Sequence, residues 1–159
     1  MIAAVAKRDD VGDAYRANAA DLVRYATVLV GPSDAADVVS DAVLAVMASG
    51  KWDTVDNPRA YFFRAVLNQA SSHRRSATRR RGREERAARL DVPAPAADSS
   101  LDAHRALRTL SEQQRAVVYL TYWEDLSPAQ IAALLAVSEG TVKKQLARAR
   151  EQLRKVLDA

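Results

Sequence analysis

The chain has 159 residues, 48% hydrophobic and 28% charged, so it can bury a core and is not disordered by composition. It has no cysteine, which excludes disulfides and zinc–thiolate sites, and its longest apolar runs, Ala42–Ala48 and Ile131–Val137, are far too short to span a membrane. The net charge of +4 is unevenly placed: eight Arg against two Glu from Arg74 to Arg89, and six Lys/Arg against one Glu from Val142 to Lys155.

Two basic concentrations on a balanced background suit contact with a polyanion, or else a solvated linker and an ordinary charged helix face. The opening MIAAVAKRDD meets acidic residues too early for a signal peptide. With the absent cysteines, this predicts a cytoplasmic protein without membrane insertion.

In chain order, the N-terminal block predicts about four helices. Tyr15, Leu22, Tyr25, Ala26 and Leu29 recur at helical spacing, and Gly31-Pro32 stops that helix. Ser33 or Asp34 can cap the next, whose apolar stripe is Ala35, Val38, Val39, Ala42, Val43, Val46 and Met47. Asp34, Asp37 and Asp41 lie beside that stripe on one polar face. Gly50 ends the helix. After the loop KWDTVDN, Pro58 suits a first turn, and a helix to about Arg75 would bury Phe62, Ala65, Val66 and Gln69-Ala70.

An arginine-rich run and DVPAPAADSS, Asp91 to Ser100, then break the pattern. The composition predicts a flexible linker over 78–100, separating units at 1–77 and 101–159. The C-terminal block predicts four more helices. The first is Leu101–Leu110. Ser111 and Gln114 form a capping box for the second, which carries Val117, Val118, Leu120 and Tyr122. Ser127, Pro128 and Gln130 repeat the signal for a short third helix, Pro128–Leu135. Ser138 caps a last helix to about Leu157, with Val142, Leu146, Ala149, Leu153 and Val156 facing inward.

A short helix, a tight turn and a longer capped helix make SPAQIAALLAVSEGTVKKQLARAR a helix-turn-helix pattern. Its second helix opens with Ser138, Glu139, Gly140 and Thr141 at the end that would enter a major groove. Lys143, Lys144, Arg148 and Arg150 lie outside the packed stripe, where their charges can meet phosphates or base edges. The alternative is a plain helical hairpin with a basic outer face.

From Leu107, LRTLSEQQRAVVYLTYWEDLSPAQIAALLAVSEGTVKKQLARAREQL resembles region 4 of the extracytoplasmic-function sigma factors of the sigma-70 family. VGPSDAADVVSDAVLAVM resembles the polymerase-clamp-binding helix of that family's region 2, and NPRAYFFRAVLNQASSHRR the helix that reads the −10 element. There are departures: Ala136 stands where glycine is usual, Gln130 replaces glutamate, Tyr61-Phe62 replaces Trp-Leu, and Ser72 replaces an aspartate four residues after Asn68.

The resemblance implies an all-α protein of two small helical domains, sigma region 2 and sigma region 4 with its helix-turn-helix, joined by a flexible linker. It also implies an alternative sigma factor that gives core RNA polymerase its promoter specificity. Region 2 would dock on the clamp coiled coil through Asp34, Asp37, Val38, Val39 and Asp41. Asn68, His73, Arg74 and Arg75 would contact the −10 strand. Trp52 and Tyr61 read first as core residues and second as stacking surfaces.

Region 4 would meet the polymerase flap and read the −35 duplex. Glu139, Thr141, Lys143 and Lys144 would lie at the bases, with Ser138 capping the DNA-facing end and Arg148 and Arg150 at phosphates. An anti-sigma factor or other regulatory protein is an expected partner. The chain ends soon after region 4, so no further sensing domain is expected.

Nothing points to catalysis. There is no glycine-rich phosphate loop, and the two histidines, His73 and His104, are separated, so no metal or other cofactor is expected. Two alternatives have a different character. A polymerase-independent helix-turn-helix regulator would leave region 2 unexplained. A sigma-like interaction protein would share the fold without initiating.

Overall fold

The structure, a computed structural model, describes the backbone over 2–84 and 99–159 and side chains within 10–76, 79 and 102–159. All regular structure among these residues is helical. The order is α1 (Ile2–Val30), α2 (Ala35–Ala48), a 3-10 turn (Trp52–Thr54), α3 (Pro58–Glu84), α4 (Ser99–Arg108), α5 (Glu112–Tyr122), α6 (Pro128–Leu135) and α7 (Glu139–Leu157).

The first three helices pack mutually around Leu22, Tyr25, Leu29, Val38, Val39, Phe62, Phe63 and Val66, all buried. Gly31 at φ +90° and Gly50 at φ +65° end α1 and α2 in the left-handed region that glycine enters without a Cβ penalty. Asp34 occupies the N-cap position of α2 but makes no side-chain capping bond. It pairs instead with His73 Nε2 at 3.1 Å, tying α2 to α3.

Two sequence expectations are corrected here. The N-terminal block has three α-helices and a 3-10 turn, and α1 starts well before Tyr15. Secondly, α3 runs to Glu84, well past Arg75 where the helix was expected to end. Arginine is a good helix former, and no proline interrupts the run before Pro93. The expected mobile stretch 91–100 lies largely outside the described residues.

In the C-terminal block the capping chemistry is realised as read. Ser111 and Gln114 bond reciprocally, at 3.2 Å and 3.0 Å, as do Ser127 and Gln130, at 3.2 Å and 2.8 Å. Ser138 accepts from the Thr141 backbone N–H at 3.1 Å. Ala136 adopts φ 55°, ψ 45°, the left-handed turn that lets α7 fold back across α6. Leu110, Val117, Leu120, Ile131, Val142 and Ala149 fill this block's core. Of the residues read on α5, Tyr122 is 59% exposed, its hydroxyl accepting from Arg150 Nε at 2.8 Å.

The two blocks are packed against each other, α5 lying on α1 and α3, and α6 on α3. Tyr25 of α1 is sandwiched between Phe63 of α3 and Tyr119 of α5, with ring centroids 4.7 Å and 5.3 Å away. Arg59 forks across the seam. Nη1 donates to Asp21 Oδ2 at 2.7 Å and Nη2 to Glu124 Oε2 at 2.7 Å. Arg74 Nη1 donates to both carboxylate oxygens of Glu112 at 3.1 Å. Arg115 Nη1 donates to the Leu29 carbonyl, the last turn of α1, while its other nitrogens cap Leu110.

Candidate nucleic-acid interface

The inner stripe of α7 is Val142, Leu146 and Ala149, all buried. At about 100° per residue, Lys144 and Arg148 fall roughly opposite it, and both are exposed. Neither makes an ion pair among the described residues. This leaves two cations on the outer face of a helix whose N-terminus carries a satisfied cap.

The other expected contacts of this helix divide. Lys143 is held by Glu139 at 3.1 Å, an exposed pair one turn apart that competes only weakly with a phosphate. Arg150 lies on the flank over the Tyr122 ring, 5.7 Å from its centroid. Ser138 and Thr141 hydroxyls bond each other at 2.8 Å and serve the cap.

The expected −10 residues of α3 also separate by face. Buried Phe62, Val66 and Ala70 define the inner side. Asn68 and Arg75 project outward and are exposed. His73 and Arg74 turn to the two flanks, His73 toward Asp34 and Arg74 toward Glu112. Helical spacing puts Arg64 and Ser71 near this face, a residue pair that reading the motif in sequence had missed, but both are only partly exposed and the Arg64 Nε is buried. Arg64 lies over the Tyr61 ring at 5.8 Å. Trp52 and Tyr61 both pack on the core while keeping part of their surface open. Between the loop Lys51–Asn57, the start of α3 and α6 is an open cleft of ≈ 720 Å³.

On α2 the acidic row keeps its place but loses its apolar companions. Val38 and Val39 are buried in the core and cannot touch a partner of this surface. The outward face carries Asp37 and Asp41 with Leu44 and Met47, which are 62% and 42% exposed. The apolar element beside the carboxylates therefore sits one to two turns further along.

Electrostatics separate the seam from these faces. Burial alone would lower the Arg59 guanidinium, but the hydrogen bond to Asp21 and the Glu124 charge more than offset it, so its pKa is raised. Burial lowers that of Arg115. Burial, reinforced by Glu124, pushes the Tyr119 phenol up to about 12. Among the described residues no cluster of His, Asp and Glu could hold a metal ion, and no helix is long and apolar enough to cross a membrane.

The comparisons with known proteins agree with the geometry. Residues 14–80 match the family described as Sigma-70 region 2, and residues 100–153 that described as Sigma-70, region 4. The RNA polymerase sigma-E factor of Streptomyces avermitilis is 35% identical over 149 residues, 87% of this chain and 79% of that one. The ECF RNA polymerase sigma factor SigL of Mycobacterium tuberculosis is 37% identical over 154 residues, 90% of this chain and 86% of that one.

Among solved structures, the sigma factor RpoE of Bartonella quintana, in complex with the anti-sigma factor NepR, superposes with a TM-score of 0.70 at 25% identity, covering 94% of this chain and 98% of that one. CnrH, in complex with the cytosolic domain of CnrY, shares the fold at a TM-score of 0.62. With a region 2 bundle, a region 4 helix-turn-helix and relatives matched over most of their length in agreement, the chain belongs to the extracytoplasmic-function sigma factors of the sigma-70 family, alternative sigma factors that direct transcription initiation.

Proposed function

We propose that the labour is divided among three outward faces. The α2 face with Asp37, Asp41, Leu44 and Met47 docks on a basic, partly apolar helical surface of the polymerase clamp. The outer face of α3, with Arg64, Asn68 and Arg75, holds the −10 strand, and Tyr61 offers a ring on which a base can stack. The outer face of α7 reads the −35 duplex. Lys144 lies at base edges and Arg148 at phosphates, while Ser138, Glu139, Thr141, Lys143 and Arg150 support or flank them.

The chain supplies binding and no bond-making chemistry, so it is not itself an enzyme, and it works in the cytoplasm beside the polymerase. Its domains are a region 2 unit ending at the end of α3 and a region 4 unit from α4 onward. An inhibitory protein partner is expected, as the Bartonella relative is held by one.

The observation that carries this reading is the pair Lys144 and Arg148, exposed on the outer face of a capped helix and without an ion pair among the described residues. A regulator acting without polymerase would have no use for the α2 face. Run-off transcription with core polymerase on a library of promoters tests the whole reading. Initiation that depends on the chain and selects a common −10 and −35 pair is the expected result. No initiation despite binding to core polymerase would leave an interaction protein with a sigma fold.

A further inference from the structure

Two residues that the sequence assigned to different partners bind each other. Asp34 stands at the head of the acidic row on α2, and His73 stands in the −10 motif on α3. In the fold, His73 Nε2 lies 3.1 Å from Asp34 Oδ2. The contact needs only a proton on Nε2, which the neutral ring can supply as well as the charged one.

Asp34 gives up a local role to make this contact. It occupies the N-cap position of α2, where an aspartate ordinarily accepts from the second or third backbone N–H of the helix. Here it has φ −108° and ψ −9°, outside the extended region that N-caps favour, and makes no capping bond. Its backbone carbonyl still accepts from the Val38 N–H at 3.1 Å, so the helix begins normally. The carboxylate is turned away from its own helix and toward α3.

His73 occupies a position where α3 needs an anchor. Val66, Ala70 and His73 recur at spacings of four and three, so the histidine extends the inner stripe by one turn. Ala70 is the last buried residue of α3 among the described residues, yet the helix runs on to Glu84. Beyond Ala70, two side-chain contacts hold α3 to its neighbours: His73 to Asp34 on one flank and Arg74 to Glu112 on the other. Only the first lies within the region 2 bundle. Arg75, outward and exposed, is two residues further on.

We propose that His73 and Asp34 are a positioning pair. They tie the far half of α3 to the start of the polymerase-docking helix, so that a chain held on polymerase through α2 presents Asn68 and Arg75 at a fixed angle to the strand. Neither residue touches DNA or polymerase itself. The proposal rests on the reading of the outer α3 face as the holder of the −10 strand.

The test uses holoenzyme assembled from the full chain and core polymerase, with a fork-junction DNA bearing the −10 sequence selected in run-off transcription. Affinity of each variant for core polymerase, affinity of its holoenzyme for the DNA, helicity and Tm are measured. His73→Ala should weaken DNA binding roughly two- to tenfold, the range for one net hydrogen bond, and leave core affinity unchanged. Asp34→Ser supplies a conventional N-cap but is too short to reach His73. It should keep helicity and Tm and lose the same DNA binding. The double variant should be no worse than either single one. His73→Gln, whose amide can donate to Asp34, should recover most of the binding.

Losses that multiply in the double variant would overturn the proposal, because His73 would then act on the strand independently of Asp34. Parental DNA binding by Asp34→Ser would overturn it too, and this variant decides alone if His73→Ala lowers the Tm. Weaker core binding by Asp34→Ser than by His73→Ala would return Asp34 to the docking face and likewise overturn it. Arg75→Ala separates this inference from the reading beneath it. If Arg75→Ala binds DNA like the parent while the pair variants lose binding together, the outer face has been misread and the tie stands. If Arg75→Ala loses binding and the pair variants do not, the tie falls and the reading stands.

Discussion

Replacing Ala136 by glycine should stabilise the protein. Ala136 sits at φ 55°, ψ 45°, where its Cβ crowds the following carbonyl, at roughly 1–2 kcal/mol for an L-residue. It is exposed, so removing the methyl loses almost no packing. Glycine loses more chain entropy on folding, roughly 0.4–1 kcal/mol against alanine. The difference leaves a gain of about 0.5–1 kcal/mol, or a rise in Tm on the order of 2–4 °C per kcal/mol for a chain of this size. The backbone bond from Val137 N–H to the Ala132 carbonyl, 3.0 Å, should persist because the turn itself is unchanged. Thermal denaturation followed by helicity measures it, with Ala136→Val as the control, expected to be less stable than the parent because a β-branched residue is worse still in this region. A glycine variant less stable than the parent, or a valine variant as stable, would refute the strain argument.

The remaining predictions use the other faces. With core polymerase present, Lys144→Ala should change −35 preference or cost roughly 1–3 kcal/mol on the preferred sequence. Arg148→Ala should weaken all sequences alike and reduce the salt slope by about one; two variants indistinguishable from the parent on both duplexes would remove α7 as the reader. Asp37→Lys with Asp41→Lys should weaken binding to core polymerase while helicity holds, and unchanged affinity in a titration would move the docking face elsewhere. Tyr25 and Tyr119 both have phenol pKa values raised by burial, Tyr119 to about 12, against about 10 unfolded. Above pH 10 the unfolded chain loses those protons while the folded one keeps them. The stabilisation is therefore complete below pH 10 and declines as pH rises toward 12. Denaturation midpoints at pH 9, 10 and 11 should fall, and fall less steeply for Tyr25→Phe.

Local chemistry was legible in the sequence. The two capping boxes, the Ser138 cap and the bounds of α6 depend on residues three or four positions apart, and each formed where Ser, Pro and Gln predicted it. A tight turn between α6 and α7 was legible too, whereas its left-handed conformation at Ala136 was signalled only by the resemblance, which has glycine there. What failed depended on distance. The arginine run after Arg75 has the charge of a linker, but arginine propagates a helix, and Gly82 alone did not stop α3. Val38 and Val39 adjoin the acidic row in sequence, yet the helix turns them into the core and presents Leu44 and Met47 instead. Tyr122 was read only as a residue of α5, and nothing local shows that its hydroxyl will be held by Arg150 at the surface. No local pattern announces that Arg59 will meet Glu124, 65 residues away, or that Arg74 will meet Glu112.

Arginine explains why one helix can serve two partners. Its planar fork binds a carboxylate pair or a phosphate with similar geometry, so a face built for nucleic acid is also a face that an internal glutamate can hold. On α3 the two uses are separated by azimuth. Asn68 and Arg75 point outward and are exposed, while Arg59 and Arg74 are paired with Glu124 and Glu112 of the C-terminal block.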